Sequence, residues 1–122
     1  DCPQSLILYE ARSLDFGNAN IELQNEYALN CYLLVDEDKV EISTDYKLSV
    51  LLSEEEKNTY EVELIIFVTN IKEDNKIAEF QYSKDLKLDS EGYKVHSFDL
   101  NDKFQIDLDT YDRGIKMFYA IN

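Results

Sequence analysis

The chain has 122 residues, near the commonest size of a single domain and enough to bury a core without metals or many disulfides. Its 26 acidic residues against 12 basic ones give a formal net charge of -14, which argues against a nucleic-acid backbone or an anionic membrane as partner and favours a basic protein. The same charge also keeps a sheet protein soluble with no partner at all. No run approaches the length and apolarity of a membrane-spanning helix, and residues 1–122 read as one β domain.

In chain order, residues 6–16 read as a first strand, closed by the break Gly17-Asn18-Ala19-Asn20. Residues 21–35 place Ile21, Leu23, Tyr27, Leu29, Cys31, Leu33 and Val35 on one face, with Glu22, Gln24, Glu26 and Asn30 between them. Residues 40–52 do the same with Val40, Ile42, Tyr46, Leu48, Val50 and Leu52, and residues 60–71 with Tyr60, Val62, Leu64, Ile66 and Val68. Successive side chains of a strand point to opposite faces, so these are half-buried strands of antiparallel sheet. The connections Asp36-Glu37-Asp38-Lys39 and Ser53-Glu54-Glu55-Glu56-Lys57-Asn58 are short and polar, which predicts that the three strands form a meander in chain order. After Lys72-Glu73-Asp74-Asn75 come strands at 77–88, 93–100, 104–108 and 115–121, with breaks at Asp89-Ser90-Glu91-Gly92, Asn101-Asp102-Lys103 and Asp112-Arg113-Gly114. No segment has helical periodicity beyond a single turn at 53–58.

The expectation is therefore all-β: an antiparallel β-sandwich or small barrel of seven to eight strands around a central three-strand meander. Nine Tyr and six Phe, most of them inside the proposed strands, agree with it. With only three Gly and one Pro, left-handed turn positions fall to Asn and Asp. Strands of 13 to 15 residues at ~3.3 Å each exceed the usual strand of a domain this size, so they bend or their far ends lean on something.

Cys2 and Cys31 are far apart in sequence and form no CxxC motif. In an oxidising compartment they pair, a bridge worth ~3–4 kcal/mol in the chain-entropy picture; the alternative is one core thiol and one loose one. The start at Asp1 rather than Met reads as a mature product after removal of a leader, or as a chain freed of a tag. Secreted or periplasmic localisation is the resulting expectation.

For chemistry the chain offers little. His96 is the sole histidine, and no nucleotide-binding, zinc-protease or nucleophile motif is present. Asp99-Leu100-Asn101-Asp102 and Asp107-Leu108-Asp109-Thr110-Tyr111-Asp112 carry hard oxygen ligands but lack the calcium-loop pattern and read as solvated acidic loops. No enzyme activity, cofactor or metal is expected.

One anomaly lies on the face that should be polar. Tyr32 and Leu34 interrupt the outward set of one strand, and Ile65, Phe67 and Ile71 that of another. In a symmetric meander Tyr32 opposes Ser43, which opposes Phe67 or Thr69, and Leu34 comes close to Ile71, making one apolar patch. Either the chain's own terminal strands cover that patch, or it binds another protein or a second copy. The leading expectation is a non-enzymatic exported module that binds a basic protein partner. The alternative is an intracellular inhibitor or immunity-type protein that blocks a basic site on a toxin or nucleic-acid enzyme by mimicking phosphate charge. A third is a structural subunit whose edge strands add to a neighbour's sheet.

Overall fold

A computed structural model describes residues 2–53, 58–88 and 94–122. The described residues form two stacked four-stranded sheets, so the antiparallel sandwich is observed. One sheet, called the upper sheet, has the order β1 (Gln4–Ile7), β8 (Ile115–Ile121), β5 (Thr59–Asn70), β6 (Lys76–Lys87). The lower sheet has the order β2 (Ser13–Asp15), β3 (Ala19–Leu34), β4 (Lys39–Leu52), β7 (Val95–Asp107). Every pairing is antiparallel except that of β1 with β8.

The alternating side chains meet between the sheets. Ile21, Ile42, Leu48 and Val50 from below, and Leu64, Ile66, Val68 and Met117 from above, are sealed from solvent, each worth ~1.5–3 kcal/mol on burial. The β3–β4 hairpin forms as expected, but the meander does not: β5 leaves that sheet, and β4 takes β7 as its second neighbour. Period two tells which face of a strand is buried and not which strand bonds its edge. Strands β4 and β5 alternate in the same way because their buried faces both turn to the core between the sheets. Hence Ser43 pairs with Asn30 and Lys103, not with Phe67 or Thr69.

Three further expectations are corrected. Residues 6–16 are not one strand: a 3-10 turn at Tyr9–Ala11 splits them into β1 and β2, in different sheets. The polar run Asn101-Asp102-Lys103 is not a break, and β7 passes straight through it because the side chains of Asn101 and Asp102 have partners. Asn101 donates to Ser43 Oγ (2.9 Å) and Asp45 Oδ1 (2.8 Å), and Asp102 turns into the core. After Asp107 the chain makes a one-turn helix, α1 (Leu108–Asp112), where a strand end was expected. The helical turn expected at 53–58 lies mostly outside the described residues. As expected, aspartates take left-handed positions: Asp38 (φ 53°) ends the β3–β4 turn and Asp74 (φ 56°) the β5–β6 turn.

In β3, Gln24, Asn25 and Glu26 together oppose Lys47, a bulge of two extra residues. An even insertion preserves parity, so Leu23 and Tyr27 both face the core.

Both open sides of the sandwich are laced. On the β1/β3 side the Cys2–Cys31 disulfide joins the two sheets (Cα–Cα 5.5 Å), and Tyr27 donates its hydroxyl to the Ser5 carbonyl (2.8 Å). On the β6/β7 side Phe80 stacks on Phe104, Tyr82 donates to the Lys103 carbonyl, and Lys84 meets Asp102. Between them Tyr119 donates to Thr44 Oγ1 (2.9 Å) and Tyr46 to Asp102 Oδ2 (2.6 Å).

Burial raises the phenols. Tyr119 goes up to about 12 by desolvation, partly opposed by the Thr44 hydrogen bond; Tyr82 also goes to about 12 by desolvation and the Asp102 charge. Tyr46 is raised further, by desolvation first and then by its bond to Asp102. A raised phenol is neutral in the fold and ionises more easily once unfolded. Its stabilisation is complete below pH ~10 and is lost as pH climbs towards the folded values. These phenols should therefore make stability fall between pH 10 and about 12, with the slope reduced in Tyr119→Phe. Urea midpoints against pH test this; an unchanged midpoint up to pH 12 would refute it.

Candidate functional site: the overhanging end of β3

The ring of Tyr27 on β3 packs on that of Tyr119 on β8, centroids 5.4 Å apart. From Tyr119 back to Ile115, the first residue of β8, is four residues, and four residues on from Tyr27 is Cys31. Beyond Cys31, β3 therefore runs past the end of the strand that covers it.

That overhang explains an exposure the alternation alone does not. Leu33 has core-side parity and pairs with buried Val40, yet it is 56% exposed, and Val35 is 71% exposed. On the opposite side Tyr32 is 53% exposed and Leu34 is half-buried. Four consecutive apolar residues thus stand at one end of the sandwich, three on the two faces of the strand tip and Val35 in the turn that follows. Among the described residues the outer edge of β3 is also free of any strand beyond the short β2, whose pairing stops at Glu22. An unpaired apolar edge of this kind is a template for contact with another chain.

The tip is held firmly from the other side. The 3-10 turn Val35–Glu37 closes with Asp38, whose carbonyl accepts the Leu108 N–H at the start of α1 (2.9 Å). Around this junction Glu37, Asp38, Asp107, Leu108, Asp109 and Asp112 line an open hollow of about 470 Å³. Asp109 is compensated by Arg113 (2.8 Å). Among the described residues no group of His, Cys, Asp and Glu is disposed to hold a metal ion, so the hollow is a negative rim beside an apolar tip.

The five residues expected in one patch are divided. Tyr32 and Leu34 lie on the tip, and Ile71 lies exposed at the same end, in the turn after β5, where its N–H bonds the Gly114 carbonyl. Ile65 and Phe67 do not join them, because β5 is in the other sheet and turns their side chains to its outer face. There Phe67 lines up with Phe118 and Leu6. The Lys76 and Lys116 ammonium groups sit over the Phe67 and Phe118 rings, so lysine side chains already shield those two rings. The missed residues are Leu33 and Val35, assigned inward by their parity. His96 is half-buried opposite Val50, on the core side of β7.

The fold and this end define a two-sheet β-sandwich with a disulfide on one side and an apolar, acid-rimmed strand tip. No family model matches the chain, and neither the curated proteins nor the solved structures give a match.

Proposed function

We propose that this is an exported, non-enzymatic module that binds another protein through the tip of β3: Tyr32, Leu33, Leu34 and Val35. The observation that carries the reading is the exposure of Leu33 on the side of β3 that elsewhere is core, with Val35 exposed beside it in the turn that follows. Solvent contact of side chains patterned for burial is removed when a partner covers them. The adjoining rim of Glu37, Asp38, Asp107 and Asp112 selects a basic partner and speeds its capture at low salt. The disulfide supports an oxidising compartment, which favours this reading over an intracellular charge mimic.

The test uses immobilised protein in the fluid of its native compartment. Wild type and Phe67→Ala are expected to retain the same partner, while Leu33→Ser and Val35→Ser lose it with unfolding midpoints unchanged. Loss of the partner in Phe67→Ala, with retention in Leu33→Ser and Val35→Ser, would sink the assignment. For the charge mimic, added salt would abolish binding and the apolar substitutions would not.

A further inference from the structure

The β6/β7 side of the sandwich holds an arrangement that neither packing nor partner binding requires. Lys84 Nζ lies 2.6 Å from Asp102 Oδ1, and the Tyr46 hydroxyl lies 2.6 Å from Asp102 Oδ2. Asp102 is only 8% exposed and the Lys84 side chain 22%. By register, Lys84 is paired with buried Val62 and Asp102 with buried Thr44, and next to them on the core side stand Leu86 and Phe104. The two residues come from different sheets, on edge strands that face each other across the open side opposite the disulfide.

From this geometry we infer that Lys84 and Asp102 condense to an intramolecular isopeptide bond, a covalent link between the sheets. The first step passes a proton from the Lys84 ammonium to Oδ1 across the 2.6 Å contact, which frees the Nζ lone pair and makes the carboxylate a carboxylic acid. The reacting carbon, Cγ, is one bond beyond Oδ1, so the 2.6 Å contact holds the amine beside the group it attacks. The Nζ lone pair adds to Cγ, and negative charge builds on Oδ2, where the Tyr46 O–H already donates. Burial keeps that phenol protonated, so it remains a donor throughout. A proton from Nζ passes to Oδ1, the Cγ–Oδ1 bond breaks, and water leaves. In sum the ammonium and the carboxylate become an amide and one water, with net charge unchanged and no oxidant or cofactor consumed.

The product fits the rest of the fold. The disulfide ties the sheets between the N-terminal segment and β3, and the amide ties them between β6 and β7, so both open sides become covalent. Such a clamp resists separation of the sheets where reductant or proteases reach the protein.

The test is the intact mass of folded wild-type protein after reduction and denaturation. The expected mass is that of the sequence less one water, with a branched peptide joining Lys84 to Asp102 in the fragment spectrum. Lys84→Arg is expected to show the full mass, because a guanidinium does not acylate. Tyr46→Phe should leave a measurable fraction unlinked. Wild type at the full sequence mass, from a sample whose cysteines are protected from alkylation before reduction, would overturn the inference outright. A missing water that maps to any other pair of residues would overturn it too.

Discussion

Replacing Lys84 by Met should destabilise the protein by ~3–5 kcal/mol, because the variant can form neither the inter-sheet amide nor an ion pair and holds the Asp102 carboxylate in the core with its charge uncompensated. The size comes from burial and not from the ion pair as such. Lys76 makes an equally well-formed pair with Glu79 at 3.0 Å, but that lysine side chain is 58% exposed and water already solvates it. Lys76→Met should therefore leave stability nearly unchanged. Tyr46 cannot take over for Lys84: it already bonds the other carboxylate oxygen and supplies no charge. Urea unfolding resolves the two variants. Equal effects from both would mean that Asp102 is solvated in the native state and that the β6/β7 side is open to water.

Removing the disulfide is the second large effect. Cys2→Ser with Cys31→Ser should cost ~2–5 kcal/mol, and the entropy of opening the loop between residues 29 apart accounts for ~3–4 kcal/mol of that. Against a total of ~5–15 kcal/mol for a typical domain, this is a large share. The loss should also be local in its first stage. Strand β1 is four residues long and pairs only with β8, so without Cys2 its remaining ties to β3 are the Ser5–Tyr27 hydrogen bonds. Amide exchange should accelerate first in Gln4–Ile7 and at the β8 edge it covers, before the core strands are affected. Coincident unfolding midpoints for the oxidised and doubly substituted proteins would contradict this account of the β1/β3 side.

The faces of the strands were legible in the residues to a fine grain. From Ile21 to Cys31, Val40 to Leu52 and Tyr60 to Val68 the alternating set lies in or against the observed core, and even the bulge at Gln24 to Glu26 leaves it intact because two inserted residues preserve parity. Neighbour relations were not legible. Strands β4 and β5 carry the same alternation, and nothing in a period of two distinguishes two strands side by side from two strands facing each other across a core. Asp102 shows the opposite failure. A polar triplet reads as a turn unless its partners are known, and those partners, Tyr46 and Lys84, are 56 and 18 residues away in sequence. Short elements were lost for a related reason. The 3-10 turn at Tyr9–Ala11 and the single turn of α1 are stabilised by where the chain must go next, not by a periodic pattern of their own.

The candidate site was half legible. Tyr32, Leu34 and Ile71 break the expected polarity and do lie at one end of the molecule, whereas Ile65 and Phe67 break it on the outer face of the upper sheet, where Lys76 covers the Phe67 ring. Leu33 and Val35 obey the pattern and are exposed nonetheless. The signal for them was strand length: a strand of 16 residues opposite one of seven must overhang, and its surplus apolar residues have no opposing strand to bury them.

A photoreactive amino acid placed at position 35 and, in a second protein, at position 67 gives the most direct test of the β3 tip as a binding surface. Both proteins are illuminated in their native fluid and the products separated by mass. A covalent adduct with a second polypeptide from position 35, and none from position 67, is the expected result. An adduct from position 67 alone, or none from either position, would show that the tip of β3 is not where this protein meets its partner.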